Sequence, residues 1–209
     1  EHDLQPAWRD RRSPRQRRGQ LRLRGRCRYL LLDLASGPDS EIDERSRCRG
    51  QRARDTGQAI AGHHDLTVTE VADITEINLW RDVPQDQGLL DSVGPEALRR
   101  IMREGNRTQR WDAYPYAEPA HEFRSRIVNA IDQIISRHVG QRVVVACHGG
   151  VINGYLAQSI RSELDTPCTI HHTSISTVRA MDDQRRVVQV NDHAHVRSFQ
   201  GALNPNNAL

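Results

Sequence analysis

An α/β fold is what this sequence predicts: a three-layer α/β/α sandwich around a mostly parallel central sheet, with a small helical lid. Three observations carry that expectation. Arg142–Cys147 (RVVVAC) is a short unbroken apolar run, the pattern of a strand buried on both faces of a parallel sheet. The run breaks at His148-Gly149-Gly150 and passes straight into the helical stretch Val151–Ile160, the strand–turn–helix order of such sheets. Between Pro119 and Arg137, Phe123, Ile127, Ile131, Ile134 and Ile135 recur three or four apart, which lays one apolar stripe along a helix.

The other elements follow in chain order. Arg52–Ala61 reads as a helix with Ala53, Thr56 and Ile60 on one face and Gly62 as its stop. Leu66–Val71 has the β-branched alternation of a strand. Gly94-Pro95-Glu96 opens a helix, with proline at its first position and a carboxylate in its first turn. Leu98, Ile101 and Met102 form its stripe, and Gly105 is expected to end it. Ser174–Ala180 and Arg186–Val190 read as two strands joined around Asp182-Asp183-Gln184. Asn204-Pro205-Asn206 belongs to a tail. The expected division is a divergent segment 1–51, a domain 52–200 with its lid at about 81–119, and a tail 201–209.

A chain of 209 residues suits one domain, or one domain with a lid. No apolar run approaches the ~20 residues that span a bilayer, and no signal-peptide core stands out, so the expectation is a cytoplasmic protein without a membrane partner. Cys27, Cys48, Cys147 and Cys168 form no Cys-x-x-Cys pair and read as reduced thiols. The chain contains no lysine. Residues 1–54 hold 15 arginines against 8 acids, and residues 55–209 hold the other 15 against 19. Trp8–Arg28 alone carries ten arginines without an apolar period, and only Tyr29–Leu34 offers core material in the first 51 residues. That segment reads as a disordered arm, as a stretch translated in a shifted frame, or as a nucleic-acid-binding arm. The last is disfavoured, because aromatic stacking platforms are missing.

Three stretches carry chemistry. In Val143–Leu156 (VVVACHGGVINGYL) an imidazole stands where a strand ends and a helix begins. The free N–H groups and positive end of that helix suit a phosphate, and the glycines allow close approach of a ligand. A satisfied core histidine beside a tight turn is the competing reading. In Gln51–Ile60 (QRARDTGQAI), Arg52 opens a helix and can hold phosphate oxygens bidentately, or can be a solvated surface arginine. In Ile74–Trp80 (ITEINLW), Glu76 sits among apolar residues, where it is either a proton donor or a plain loop carboxylate.

Taken in this order, the stretches resemble the histidine phosphatase superfamily, the phosphoglycerate mutase-like family, from about Ile42 to His195. Arg52-Ala53-Arg54-Asp55-Thr56 is similar to the family's Arg-Ala-x-x-Thr helix start, Glu76-Ile77 to its acid motif, and Ala120–Leu156 to its long helix, strand and Ser/Cys-His-Gly-Gly turn. His172–Ser176, Asn191-Asp192 and His195 resemble its closing hairpin and tail. The resemblance implies a phosphomonoesterase that works on a small phosphorylated metabolite through a phosphohistidine, with arginine and a second histidine offsetting the transferred charge. It implies no metal and no cofactor. Carried over, His148 is the second histidine, Glu76 the acid, and Arg52, His148 and Gly149 hold the phosphoryl group. The family's nucleophile lies in an Arg-His-Gly motif, which this chain lacks. The candidate in this sequence is His2, fifty positions before Arg52 and flanked by Glu1 and Asp3, whose charges repel a phosphate; the alternatives are that the true motif is lost or lies upstream. The expected activity is therefore impaired to the extent that this motif matters. Alternatives are mutase-like phosphoryl transfer and a non-catalytic relative that binds a phospho-ligand or nucleic acid. A homodimer is left open. His63-His64, His171-His172 and His193-Ala194-His195 lack zinc-ligand spacing. Trp111, Tyr114 and Tyr116 are expected either to shape the substrate pocket or to pack a helical cap.

Overall fold

The structure, a computed structural model, describes residues 50–84, 86–181 and 183–196, and 28–34 as backbone. His2, the Arg-rich stretch Trp8–Cys27, Ile42-Asp43, Cys48, Asp182 of the hairpin turn and the tail 201–209 lie outside the described residues.

Four strands form one sheet: β1 (Arg28–Leu34), β2 (Arg142–Cys147), β3 (Ile175–Met181) and β4 (Gln184–Asp192), in the order β2-β1-β3-β4. β1 runs parallel to β2, with Leu34 opposite Cys147. It runs antiparallel to β3, with Asp33 opposite Ile175, and β3 pairs antiparallel with β4. The expectation of a mostly parallel sheet is corrected here. β3 and β4 are joined by a tight turn, and a connection that short permits only antiparallel pairing. Among the described strands β2 stands last in the order, and Val144 on it is 42% exposed. β1 comes from the Arg-rich first segment, yet it lies inside the sheet.

Five helices complete the described chain: α1 (Gln51–Gly62), α2 (Leu89–Val93), α3 (Pro95–Thr108), α4 (Ala120–Arg137) and α5 (Gly149–Ile160). The stripe on α4 is buried as its period requires, with Phe123, Ile127 and Ile131 fully covered. α5 is apolar on nearly every side, and Val151, Ile152, Tyr155, Leu156 and Ala157 are all buried. These helices, Val145 and Cys147 of β2, and Val178 and Ala180 of β3 make one core. Alternation along β2 turns Ala146 the other way. There it meets α1, where a Cβ added at Gly57 would come 3.7 Å from that of Ala146. Tyr155 donates its hydroxyl to Asp132 (3.0 Å) and receives Arg185 Nε (3.0 Å), which ties α5 to α4 and β4.

Two elements differ from the sequence expectation. Leu66–Val71 forms no strand with any described residue, and Leu66 is 68% exposed. Alternation selects an extended backbone; a ladder also needs a partner edge, and none of the described strands supplies one. Gly105 does not end α3, which continues to Thr108 and closes on Gln109 in the left-handed region at φ 54°. The glycine is buried instead, because the Tyr114 ring lies so close that a Cβ there would fall 2.4 Å from it. The aromatic residues of this segment pack on one another and on the core. Tyr116 packs on Trp80, Trp80 on Tyr114, Tyr114 on Trp111, and Trp111 edge-on against Phe123 of α4. They fasten the segment to the core. A second fastening is Asp165, 2% exposed, which pairs with Arg124 and accepts Trp111 N–H at 2.9 Å. No helix among the described residues is long and apolar enough to cross a membrane.

Candidate active site

The register places several chain ends on one edge of the sheet. β1 and β2 finish there together at Leu34 and Cys147, β3 starts there at Ile175, and β4 ends there at Asp192. His148 follows Cys147 immediately. It caps α5 in extended conformation (φ −109°, ψ 167°), and its carbonyl accepts the N–H of Ile152 at 3.0 Å. It is 5% exposed. The amides of Gly149 and Gly150 open the helix, where N–H groups have no partner one turn back.

The Glu76 side chain enters this turn from a segment 74 residues earlier. Its Oε2 accepts the Gly150 N–H at 3.1 Å, and its Oε1 accepts the N–H of Ile77 at 2.9 Å. A Cβ at Gly150 would stand 2.1 Å from Oε1. The glycine is thus required by a carboxylate pressed against the backbone. Glu76 and the His148-Gly149-Gly150 turn, read separately in the sequence, meet in space. Arg52 is the second residue of α1, partly buried, on the helix that lies against Ala146. His2 lies outside the described residues. Ala35-Ser36-Gly37, which follow β1 in the sequence, contain no histidine.

The segment that carries Glu76 is itself held. A short 3-10 turn, Ala72–Ile74, leads into it, and the Arg126 guanidinium donates to the carbonyls of Asp73 (2.7 Å), Thr75 (2.8 Å) and Glu76 (3.4 Å). Glu118 completes the frame: its Oε1 accepts Arg126 Nη2 and the Asn78 N–H, both at 2.8 Å. Burial opposes ionisation of Glu118, but the hydrogen bonds from Arg126 and Asn78 outweigh it and hold the carboxyl below its ordinary 4.5. On α5, Asn153 donates to Gly149 O at 3.2 Å and accepts Cys168 N–H at 3.0 Å, joining the first turn to the following loop.

The sequence reading missed Arg126, Glu118 and Asn153. Asn153 had a local signal, since a residue four after Gly149 lies under it on a helix. Arg126 and Glu118 had none: an arginine on the outer face of an amphipathic helix looks solvated. At the same sheet edge Asn191 (φ 60°) accepts His171 N–H at 2.7 Å, and the rings of His171 and His193 lie 4.8 Å apart. Cys147 is buried and Cys168 partly so. A cavity of 840 Å³ at α2 and α3, lined by Arg99, Arg100 and Arg103 among others, includes none of the residues of this turn. Among the described residues, no three His, Cys, Asp or Glu side chains gather as a metal would need.

Comparison with known proteins bears on this geometry. A family model described as histidine phosphatase superfamily (branch 1) matches residues 42–193. Phosphoglycerate mutase-like protein 4 of Arabidopsis thaliana is 30% identical over 145 residues, which are 67% of this chain and 60% of that protein. The chain thus spans well under two thirds of that relative's length. Among solved structures, Bacillus stearothermophilus YhfR is 18% identical with a TM-score of 0.59, covering 81% of this chain and 99% of that one. The alpha-ribazole phosphatase of Shigella flexneri is 12% identical with a TM-score of 0.57, over 78% and 96% of the two chains. A mycobacterial glucosyl-3-phosphoglycerate phosphatase is 17% identical with a TM-score of 0.56, over 78% and 98%. These likenesses are likenesses of fold. The family match covers the helix of Arg52, the Glu76 segment and the His-Gly-Gly turn together, and the chain belongs to branch 1 of the histidine phosphatase superfamily.

Proposed function

We propose that the chain is a phosphomonoesterase acting on a small phosphorylated metabolite at the turn where Glu76 meets His148-Gly149-Gly150. The observation that carries the proposal is the Glu76 carboxylate at the Gly150 amide, beside the cap of α5. A general acid must come within hydrogen-bond reach of the leaving oxygen it protonates, and this carboxylate sits at the amide next to that of Gly149, which holds the phosphoryl oxygens in this reading. In the scheme a histidine nitrogen attacks phosphorus, and the phosphorus–oxygen bond to the alcohol breaks. Glu76 gives its proton to the departing oxygen. Its carboxylate then takes a proton from water, the hydroxyl attacks phosphorus, and the phosphorus–nitrogen bond breaks to release inorganic phosphate. His148, Arg52 and the Gly149 amide hold the phosphoryl oxygens. What supports Arg52 is that its helix packs on β2 at Ala146, two residues before His148. The scheme also takes the helices as layers on both faces of the sheet, α1 on one and α4 with α5 on the other.

His2 is the one histidine ahead of Arg52 and serves as nucleophile in this reading. The missing Arg-His-Gly motif favours a second reading, in which the turn binds a phospho-ligand without turning it over. An acid-quenched incubation with a 32P-labelled phosphomonoester separates the two. Label that is retained by the wild type and lost in His2→Ala, together with activity lost in His148→Ala, supports the enzyme. Phosphate binding without label or turnover supports the binder, and turnover unchanged in His148→Ala overturns the assignment of the turn.

A further inference from the structure

The geometry points to Arg126, backed by Glu118, as the positioning residue that sets the Glu76 carboxylate against the His148-Gly149-Gly150 turn. The inference rests on the reading of Glu76 as the acid. Glu76 lies in a loop, and a loop carboxylate samples many positions unless its backbone is held. Here one guanidinium collects the carbonyls of Asp73, Thr75 and Glu76. That set leaves the backbone between the 3-10 turn and Ile77 little freedom, because the planar fork fixes donor directions.

The guanidinium is rigid in turn. It stacks over the ring of Phe123, 4.7 Å from its centroid, and Phe123 is fully buried. Its other edge pairs with Glu118, and the two side chains keep only 23% and 14% of their exposure. Glu118 also accepts the Asn78 N–H, and its own N–H donates to the Asn78 carbonyl at 2.9 Å. The loop from Asp73 to Asn78 is thus clamped at both ends by a pair anchored on α4. Breaking one partner of such a pair leaves a charge poorly solvated, so the clamp holds or fails as a unit. α4 also supplies Phe123 and Ile127 to the core under α5. One helix therefore sets both the height of the turn that carries His148 and the position of the acid facing it.

The test compares Arg126→Lys, Arg126→Met and Glu118→Gln with Glu76→Gln in the full chain. Two substrates are used: an alkyl phosphate, whose leaving group needs a proton, and p-nitrophenyl phosphate, whose leaving group does not. Positioning predicts that each variant loses kcat/KM on the alkyl phosphate by about 10- to 100-fold. The kcat/KM for p-nitrophenyl phosphate, which is set before water enters, stays within about threefold, and adding Arg126→Lys to Glu76→Gln costs nothing further. A merely structural role lowers both rates alike, and that result overturns the inference. Arg126→Lys keeps a cation beside Glu118 and remains informative if Arg126→Met fails to fold. The 1H–15N resonance of Gly150 gives a second reading that needs no turnover. It is expected to move in Arg126→Lys in the direction it moves in Glu76→Gln; an unmoved Gly150 amide overturns the inference even in a silent enzyme. A Glu76→Gln variant without selectivity between the substrates would instead refute the acid role itself.

Discussion

Gly150 shows what a single residue contributes. In the sequence it reads as a glycine that lets a ligand near the backbone; in the structure the group that comes near is the carboxylate of Glu76. The histidine and the helix cap were legible, because strand, turn and helix are adjacent in the chain. The partner was not, because 74 residues separate the two and no local period connects them. Replacing Gly150 with alanine puts a Cβ 2.1 Å from Glu76 Oε1 and 3.3 Å from Ile77, and the carboxylate is the group free to move. We expect Gly150→Ala to cut alkyl-phosphate turnover about 100-fold in steady-state kinetics, as a displaced acid does. Unchanged turnover would show that Glu76 acts from elsewhere.

At the scale of elements, α4 was readable because burial imposes a period and its side chains supply it, and β2 and α5 because two apolar runs are parted by His148-Gly149-Gly150. Leu66–Val71 carries an equally clear period and forms no ladder among the described residues, since strand pairing depends on a second strand that no local pattern reveals. Gly105 misled for a related reason: a glycine near the end of a helix reads as a stop, and here it is a contact surface for Tyr114. Alanine at that position must push the ring away and loosen the chain of aromatics that ends on Phe123. Gly105→Ala is expected to destabilise the protein by about 1–3 kcal/mol. In a chain of this size that lowers Tm by about 2–4 °C per kcal/mol. An unshifted melting curve would mean that Tyr114 does not pack on α3.

Across the whole molecule, the sheet takes one of its inner strands from the segment whose composition argued against any fold. Tyr29–Leu34 was recognisable as apolar; that it lies between β2 and β3 was not, because pairing order is a long-range property. Removing residues 1–34 deletes both the parallel and one antiparallel pairing. We expect that truncation to lose cooperative thermal unfolding in circular dichroism, whereas a retained sharp transition would show that the sheet closes without β1. The end of the sheet where β1 and β2 finish gathers the His148 turn and Glu76, and the account depends on His148 and Arg52 engaging one anion. The most direct measurement is a double-mutant cycle of Arg52→Ala and His148→Ala, read by calorimetric binding of orthovanadate. The account predicts wild-type binding and a coupling of at least about 1 kcal/mol between the two substitutions. Losses that simply add, or a wild type that binds no vanadate, would contradict it.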